Sequence, residues 1–238
     1  MIKNKKEPEN PFGKDPLDDV KQRKPDGKVE IPDPLDDVKL FKNANASKEV
    51  KTVQAIRLKT RRATEKDSQG CSKMLGSPTL PSGMENEIPS TAMFLMQIRL
   101  EDIKDLDPQN LLPHHGYLYF FLDTEDDIYN LKPIVKYYDG EPDTFVGDWN
   151  TIVEGFEQFN EPFAIEFELC DESETGNKLL GCPGDWQFSE TEDKLLFQLD
   201  PMDNEEMNLF PTFDGLMYFF FADNPRDFDN VKFVEDFS

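Results

Sequence analysis

The strongest constraint in this sequence is that a series of short blocks occurs twice in the same order. Lys73-Met74-Leu75-Gly76-Ser77-Pro78 is answered by Lys178-Leu179-Leu180-Gly181-Cys182-Pro183, and Leu95-Met96-Gln97-Ile98 by Leu196-Phe197-Gln198-Leu199. Gly116-Tyr117-Leu118-Tyr119-Phe120-Phe121 is answered by Gly215-Leu216-Met217-Tyr218-Phe219-Phe220, and Asn130 to Val135 by Asn230 to Val234. Upstream, Ala55-Ile56-Arg57-Leu58 corresponds to Ala164-Ile165-Glu166-Phe167. The offsets stay between about 99 and 109 residues, so the sequence predicts an internal duplication of roughly 100 residues. Two similar lobes with pseudo-twofold symmetry are expected, at about 53–138 and 162–238, joined by 139–161 within one domain over 49–238.

Each copy reads as short strands. Ala55 to Lys59 and Phe163 to Leu169 alternate apolar with polar residues, as half-buried strands do. Met93 to Ile98 and Leu195 to Leu199 are apolar but for one Gln each. Tyr117 to Leu122 and Leu216 to Phe221 are continuous apolar runs entered through His-Gly and Asp-Gly, which predicts central strands covered on both faces. Helix signals are fewer: a short one over Leu100 to Leu106, and a better one from Asp148. The latter would place Trp149, Ile152, Val153, Phe156 and Phe159 on one face and end at Asn160 and Pro162. That stripe is expected to pack in the core rather than to form an exposed groove. The fold class is α+β, mainly antiparallel β.

Residues 1–48 are dominated by Lys, Asp, Glu, Pro and Asn, a composition that cannot build a core, and are expected to be a disordered polar tail. DPLDDVK occurs twice in it, at Asp15 to Lys21 and Asp33 to Lys39; it is either a linker duplication or a pair of docking peptides that gain by avidity. The opening MIKNKKEPE lacks the apolar run of a secretory signal, and the longest wholly apolar run, Leu216 to Ala222, is far short of the roughly 18 residues that cross a bilayer. Three cysteines without CxxC spacing suit a reducing compartment. A soluble, cytoplasmic protein is expected.

Charge narrows the partners. The chain has 26 Lys plus Arg against 49 Asp plus Glu, a formal net charge of −23, which disfavours nucleic acid and anionic membrane surfaces. The acidity is segregated: residues 139–238 hold four basic and 26 acidic side chains, a balance of −22. Acidic runs fall at Glu166, Glu168, Asp171, Glu172 and Glu174, at Glu190, Glu192 and Asp193, and at Asp200, Asp203, Glu205 and Glu206. Strand alternation would turn Glu166 and Glu168 to the same solvent face.

Few residues promise chemistry. His114 and His115 are replaced by Phe213 and Asp214 in the second copy, so a turn role is expected over catalysis or metal binding. Cys182 answers Ser77, as a small residue at a tight turn would, and no activating neighbour is visible in the sequence. No zinc or calcium pattern and no phosphate-cradling glycine motif occurs, so neither metal nor cofactor is expected. Gln97 and Gln198 are each the sole polar residue of an apolar strand; either each ties its strand to the neighbouring G-x-P loop, or both line a polar pocket between the lobes with Lys73 and Lys178.

AIRLK at 55–59, SKMLGSPTLP at 72–81, FLMQIRLEDI at 94–103, LLPHHGYLYFF at 111–121, LLGCPGDWQ at 179–187 and LLFQLD at 195–200 together resemble the YwqG-like family, also described by its domain of unknown function, DUF1963. The resemblance covers about residues 53–238. It implies a duplicated, mainly β fold in a cytoplasmic protein and carries over no catalytic residues, and some members look like immunity proteins found beside secreted toxins. The chain departs from the family pattern in having Gly76-Ser77 where members usually show Gly-Gly. Charge and resemblance together predict a non-enzymatic protein-binding module that engages a basic partner through Glu166, Glu168, Asp171, Glu172, Glu174, Asp200, Asp203, Glu205 and Glu206. The alternative is an enzyme or small-ligand binder using Lys73, Gln97, Lys178 and Gln198.

Overall fold

The computed structural model describes residues 54–124, 130–184, 193–210 and 212–236. The segment 1–48 with its DPLDDVK stretches, and Glu190 and Glu192, lie outside them. Among the described residues twelve strands are formed: β1 (Gln54–Arg62), β2 (Lys73–Met74), β3 (Thr79–Leu80), β4 (Ala92–Arg99), β5 (Tyr117–Asp123), β6 (Lys132–Tyr138), β7 (Thr144–Phe145), β8 (Phe163–Asp171), β9 (Lys178–Leu179), β10 (Leu195–Leu199), β11 (Leu216–Phe220) and β12 (Lys232–Asp236). Ten form one antiparallel sheet in the order β12-β11-β10-β9-β1-β8-β2-β4-β5-β6, while β3 and β7 make a separate pair. The sheet is nearly closed, because its end strands β12 and β6 come into contact. Tyr137 of β6 meets Phe228 with ring centroids 5.9 Å apart, and Lys136 pairs with Asp229 at 2.7 Å beside it.

The apolar runs form the interior, as expected. Every residue of β5 is buried, and so are four of the five in β11. Phe120 of β5 packs on Phe197 of β10 at 5.3 Å and edge-on against Phe219 of β11 at 5.6 Å. Each such ring contributes about 1.5–3 kcal/mol on burial. The polar ends of buried tyrosines find carbonyls: Tyr119 Oη donates to Thr79 O at 2.9 Å and Tyr117 Oη to Gly70 O at 2.9 Å.

The helix expected from Asp148 is not formed. Asn150–Ile152 and Glu157–Asn160 are single 3-10 turns, separated by Gly155 at φ 85° and entered through Asp148 at φ 56°. Both dihedrals lie outside the right-handed helical region, so the ladder of i to i+4 bonds cannot run through them. Trp149, Val153, Phe156 and Phe159 are still buried, but Ile152, assigned to the same face, is 74% exposed. Phe156 and Phe159 stack on Phe213, each at 5.9 Å. Asn150 pins the segment to β4: its amide accepts from Phe94 N at 2.8 Å and donates to Phe94 O and Phe159 O, both at 3.0 Å. The candidate at Leu100 to Leu106 likewise shortens to a 3-10 turn at Leu100–Asp102. Among the described residues the helical component is confined to such short turns, and no helix is long and apolar enough to cross a membrane.

Candidate partner-binding surface

The centre of the sheet decides which predicted carboxylates are free to meet a partner. β1 and β8 pair along nine residues, with Arg57 opposite Glu168 and Lys59 opposite Glu166. Lys59 and Arg61 each reach a diagonal carboxylate on β8, as long side chains on a twisted ladder do. Lys59 Nζ sits 2.7 Å from Glu168 Oε2 and Arg61 Nε 3.2 Å from Glu166 Oε1, while the Arg61 guanidinium also forks onto Asp67 at 2.8 and 2.9 Å. Arg62 meets Glu206 at 3.2 Å. Arg57 pairs with Asp203 and also donates to Thr175 O.

Four of the nine predicted partner carboxylates, Glu166, Glu168, Asp203 and Glu206, are therefore held by β1. Summing charge along the chain hides this, because β1 belongs to the N-terminal half by position and to the acidic half by pairing. The signal was present in the alternation Arg57-Leu58-Lys59-Thr60-Arg61, which puts three cations on one strand face. Asp203 is half-buried; burial pushes its carboxyl up and the Arg57 charge opposes that push. Arg57 crosses over Gly176, whose φ is 82°, and a β-carbon there would come within 2.0 Å of Arg57 Nη1. A groove of about 610 Å³ runs along these groups, lined by Arg57, Lys59, Arg61, Arg62, Asp203 and Glu206.

The other five, Asp171, Glu172, Glu174, Asp200 and Glu205, form no ion pair among the described residues. Asp171, Glu172 and Glu174 follow one another at the end of β8 and in the turn after it. Asp200 Oδ1 accepts from Met202 N at 2.9 Å, and Glu205 opens the 3-10 turn Glu205–Met207, which is capped by Asn204 through Glu206 N. Beside this turn, Met202 and Phe210 are exposed large apolar side chains. With Phe213 they line a cleft of about 110 Å³ to which Asp200, Asp214 and Asp236 also contribute. Asp214 also helps burial to raise the carboxyl of Glu235. Sequence reasoning did not single out Asp214, Asp236, Met202 or Phe210; the pairing of Leu216 with Asp236 on β11 and β12 brings Asp236 beside the Asp214-Gly215-Leu216 entry.

The second predicted set resolves into two local pairs. Lys73 lies opposite Gln97, and Lys178 opposite Gln198. Gln97 Oε1 accepts from Thr79 N at 2.9 Å, and its amide donates to Cys71 O at 2.8 Å and Gln69 O at 3.2 Å. Gln198 Oε1 accepts from Gly184 N at 2.7 Å and its amide donates to Gly176 O at 2.9 Å. Thr79 and Gly184 each follow the proline of a G-x-P loop, so each glutamine ties its strand to that loop. Lys73 Nζ donates to Gln69 O at 2.8 Å and Lys178 Nζ to Glu172 O at 2.7 Å; burial brings each amine down to about 8. In the sheet order, β1 and β8 lie between the Lys73–Gln97 pair and the Lys178–Gln198 pair.

The histidines organise their turn. His114 Nε2 lies 3.2 Å from Asp107 Oδ2, which also accepts from Leu112 N at 2.8 Å, and His115 pairs with Glu101, which accepts from Gly116 N at 3.2 Å. Burial pushes up the thiols of Cys71, Cys170 and Cys182, opposite to the shift that makes a nucleophile. Among the described residues no group of three or more His, Cys, Asp or Glu is placed to hold a metal ion.

No curated protein matches the chain. A family model does match residues 72–146, which run from the first G-x-P loop through β4, β5 and β6 to β7: this segment of the chain is similar to the Domain of unknown function DUF1963.

Proposed function

We propose that this chain is a non-enzymatic protein-binding module of the cytoplasm, whose acidic C-terminal half engages a basic protein partner in the manner of an immunity protein neutralising a basic toxin. The observation that carries the reading is the set of carboxylates left over once β1 has taken its share: exposed Asp171, Glu174 and Glu205 and half-buried Glu172 form no ion pair among the described residues. Such a field repels itself, and a cationic partner would offset that cost. The test is capture of partners from the native host followed by their identification. A basic protein whose association weakens steeply with salt is expected; a partner that is acidic or neutral would overturn the reading. A small-ligand role is favoured by one observation, the 610 Å³ groove along β1, which is of ligand-site size. Its cations already have carboxylate partners, so it ranks second.

We also read the fold as two copies of one unit. Support comes from the strand order, which reads the same from both ends when β1 answers β8, β2 answers β9, β4 answers β10, β5 answers β11 and β6 answers β12. At its centre Leu58 pairs with Phe167, its own counterpart in the repeat. Leu75 and Gly76 take φ 59° and 73°, and Leu180 and Gly181 take 62° and 79°. Left-handed leucine is costly, and its recurrence at equivalent positions argues for a shared local design. Leu75 N donates to Leu95 O at 2.9 Å and Leu180 N to Leu196 O at 3.2 Å, and the ladder slips at those same acceptors, between Phe94 and Met96 and between Leu195 and Phe197. In this reading the first strand of each copy is exchanged, β1 lying beside β9 and β8 beside β2.

A further inference from the structure

We propose that the cleft lined by Met202, Phe210 and Phe213 together with Asp200, Asp214 and Asp236 receives a single arginine side chain of the basic protein partner. The inference rests on the protein-binding reading above and locates its anchor point. Size excludes most other occupants: at about 110 Å³ the cleft is well below the roughly 300 Å³ at which small-molecule pockets begin, yet it has room for one side chain.

Its lining combines two chemistries. Met202 is 68% exposed and Phe210 47%, so their apolar surface is open to water on the free protein, and a long aliphatic stem laid against them would remove it. Asp200, Asp214 and Asp236 form no ion pair with any described residue, so among the described residues these three carboxylates have no internal cation. Apolar stem and cationic head belong to Arg and Lys alone. Arg fits better, because its planar head can stack on the Phe210 ring and fork onto a carboxylate, whereas Lys offers a compact, strongly hydrated charge. Arginine inserted into a packed pocket is also among the commonest anchors of protein interfaces. The cleft is built on the Asp214-Gly215-Leu216 entry to β11 and on Asp236 of β12, which is paired to Leu216, so the sheet holds Asp236 beside that entry.

The test uses the full chain with methyl-labelled methionine and, as probes, the peptide acetyl-Gly-Leu-Arg-Leu-Gly-amide and its citrulline analogue, which keeps the shape and lacks the charge. Shifts of the Met202 methyl and of the Gly215 and Asp236 amides are expected with the arginine peptide. Binding should be about fivefold weaker or more with the citrulline peptide, the equivalent of losing two modest charge pairs. Asp214→Asn with Asp236→Asn should weaken the arginine peptide similarly, while Glu157→Gln with Glu161→Gln, at exposed carboxylates outside the proposed binding surface, should not. Equal binding of both peptides, or shifts centred on the β1 groove or spread over all acidic faces, would overturn the proposal. If a basic host partner still binds in a salt-dependent way while the peptide leaves the cleft signals unmoved, the cleft assignment fails and the protein-binding reading stands. If no basic partner binds either, the reading itself has failed.

Discussion

Replacing Gln97 by leucine removes the buried amide that fastens β4 to its loop while nearly conserving volume, so the loss measured is that of the hydrogen bonds. Two backbone groups are stranded: Thr79 N–H, bonded to Gln97 Oε1 at 2.9 Å, and Cys71 C=O, bonded to the amide at 2.8 Å. Gln69 C=O is not stranded, because Lys73 Nζ and Thr79 Oγ1 still donate to it. A buried group left without a partner costs about 1–3 kcal/mol, so Gln97→Leu should lower stability by about 2–6 kcal/mol, a large part of the total for a domain. Gln198→Leu strands Gly184 N–H and Gly176 C=O, bonded at 2.7 and 2.9 Å, and should cost about as much. Urea unfolding of the two variants and the parent, with unchanged m-values, measures both losses. A loss below about 0.5 kcal/mol for either would be typical of a neutral surface change and would refute the argument that these glutamines are structural ties.

Arg57→Ala should destabilise the chain by leaving half-buried Asp203 without its cation. The Asp203 carboxyl is raised above 3.8 in the folded chain, so the fold holds its proton more tightly and stability falls as pH climbs from there through the raised value. The variant's penalty should therefore be larger in urea melts at pH 7 than at pH 4, and a penalty independent of pH would contradict this. Lys73 and Lys178 titrate near 8 rather than 10.5, so the folded chain sheds protons first and these two groups add stability as pH rises from about 8 to 10.5. Lys73→Met and Lys178→Met should each flatten that rise in denaturant titrations across the window; an unchanged slope would show that the amines are not held in the buried, desolvated state.

The parts of the fold legible in the sequence were those carried by continuous burial. Tyr117 to Leu122, wholly apolar, and Leu195 to Leu199, apolar but for Gln198, announce strands because such a run has few other uses, and both are buried throughout. The segment from Asp148 to Asn160 misled because its apolar spacing suits a helix and two linked 3-10 turns about equally. The deciding facts, positive φ at Asp148 and Gly155 and the three bonds of Asn150 to Phe94 and Phe159, are tertiary. The acidic residues were visible as charges but not as surfaces. Glu166 and Glu168 met β1, which lies more than 100 residues away in the chain and beside them in the sheet. The placing of Asp236 beside the Asp214-Gly215-Leu216 entry was not legible at all, because it depends on the register of β11 with β12.

The central claim, that the unpaired carboxylates of the C-terminal half steer a basic protein, is tested most directly by the association rate of the partner captured from the host, measured across ionic strength. The parent is compared with a variant carrying Asp171→Asn, Glu172→Gln, Glu174→Gln and Glu205→Gln. With screening over about 8 Å at physiological salt, the parent's on-rate should fall steeply as salt rises. The variant should associate more slowly at low salt, with a flatter salt dependence and a nearly unchanged off-rate. An on-rate that is the same for both chains and indifferent to salt would contradict the account.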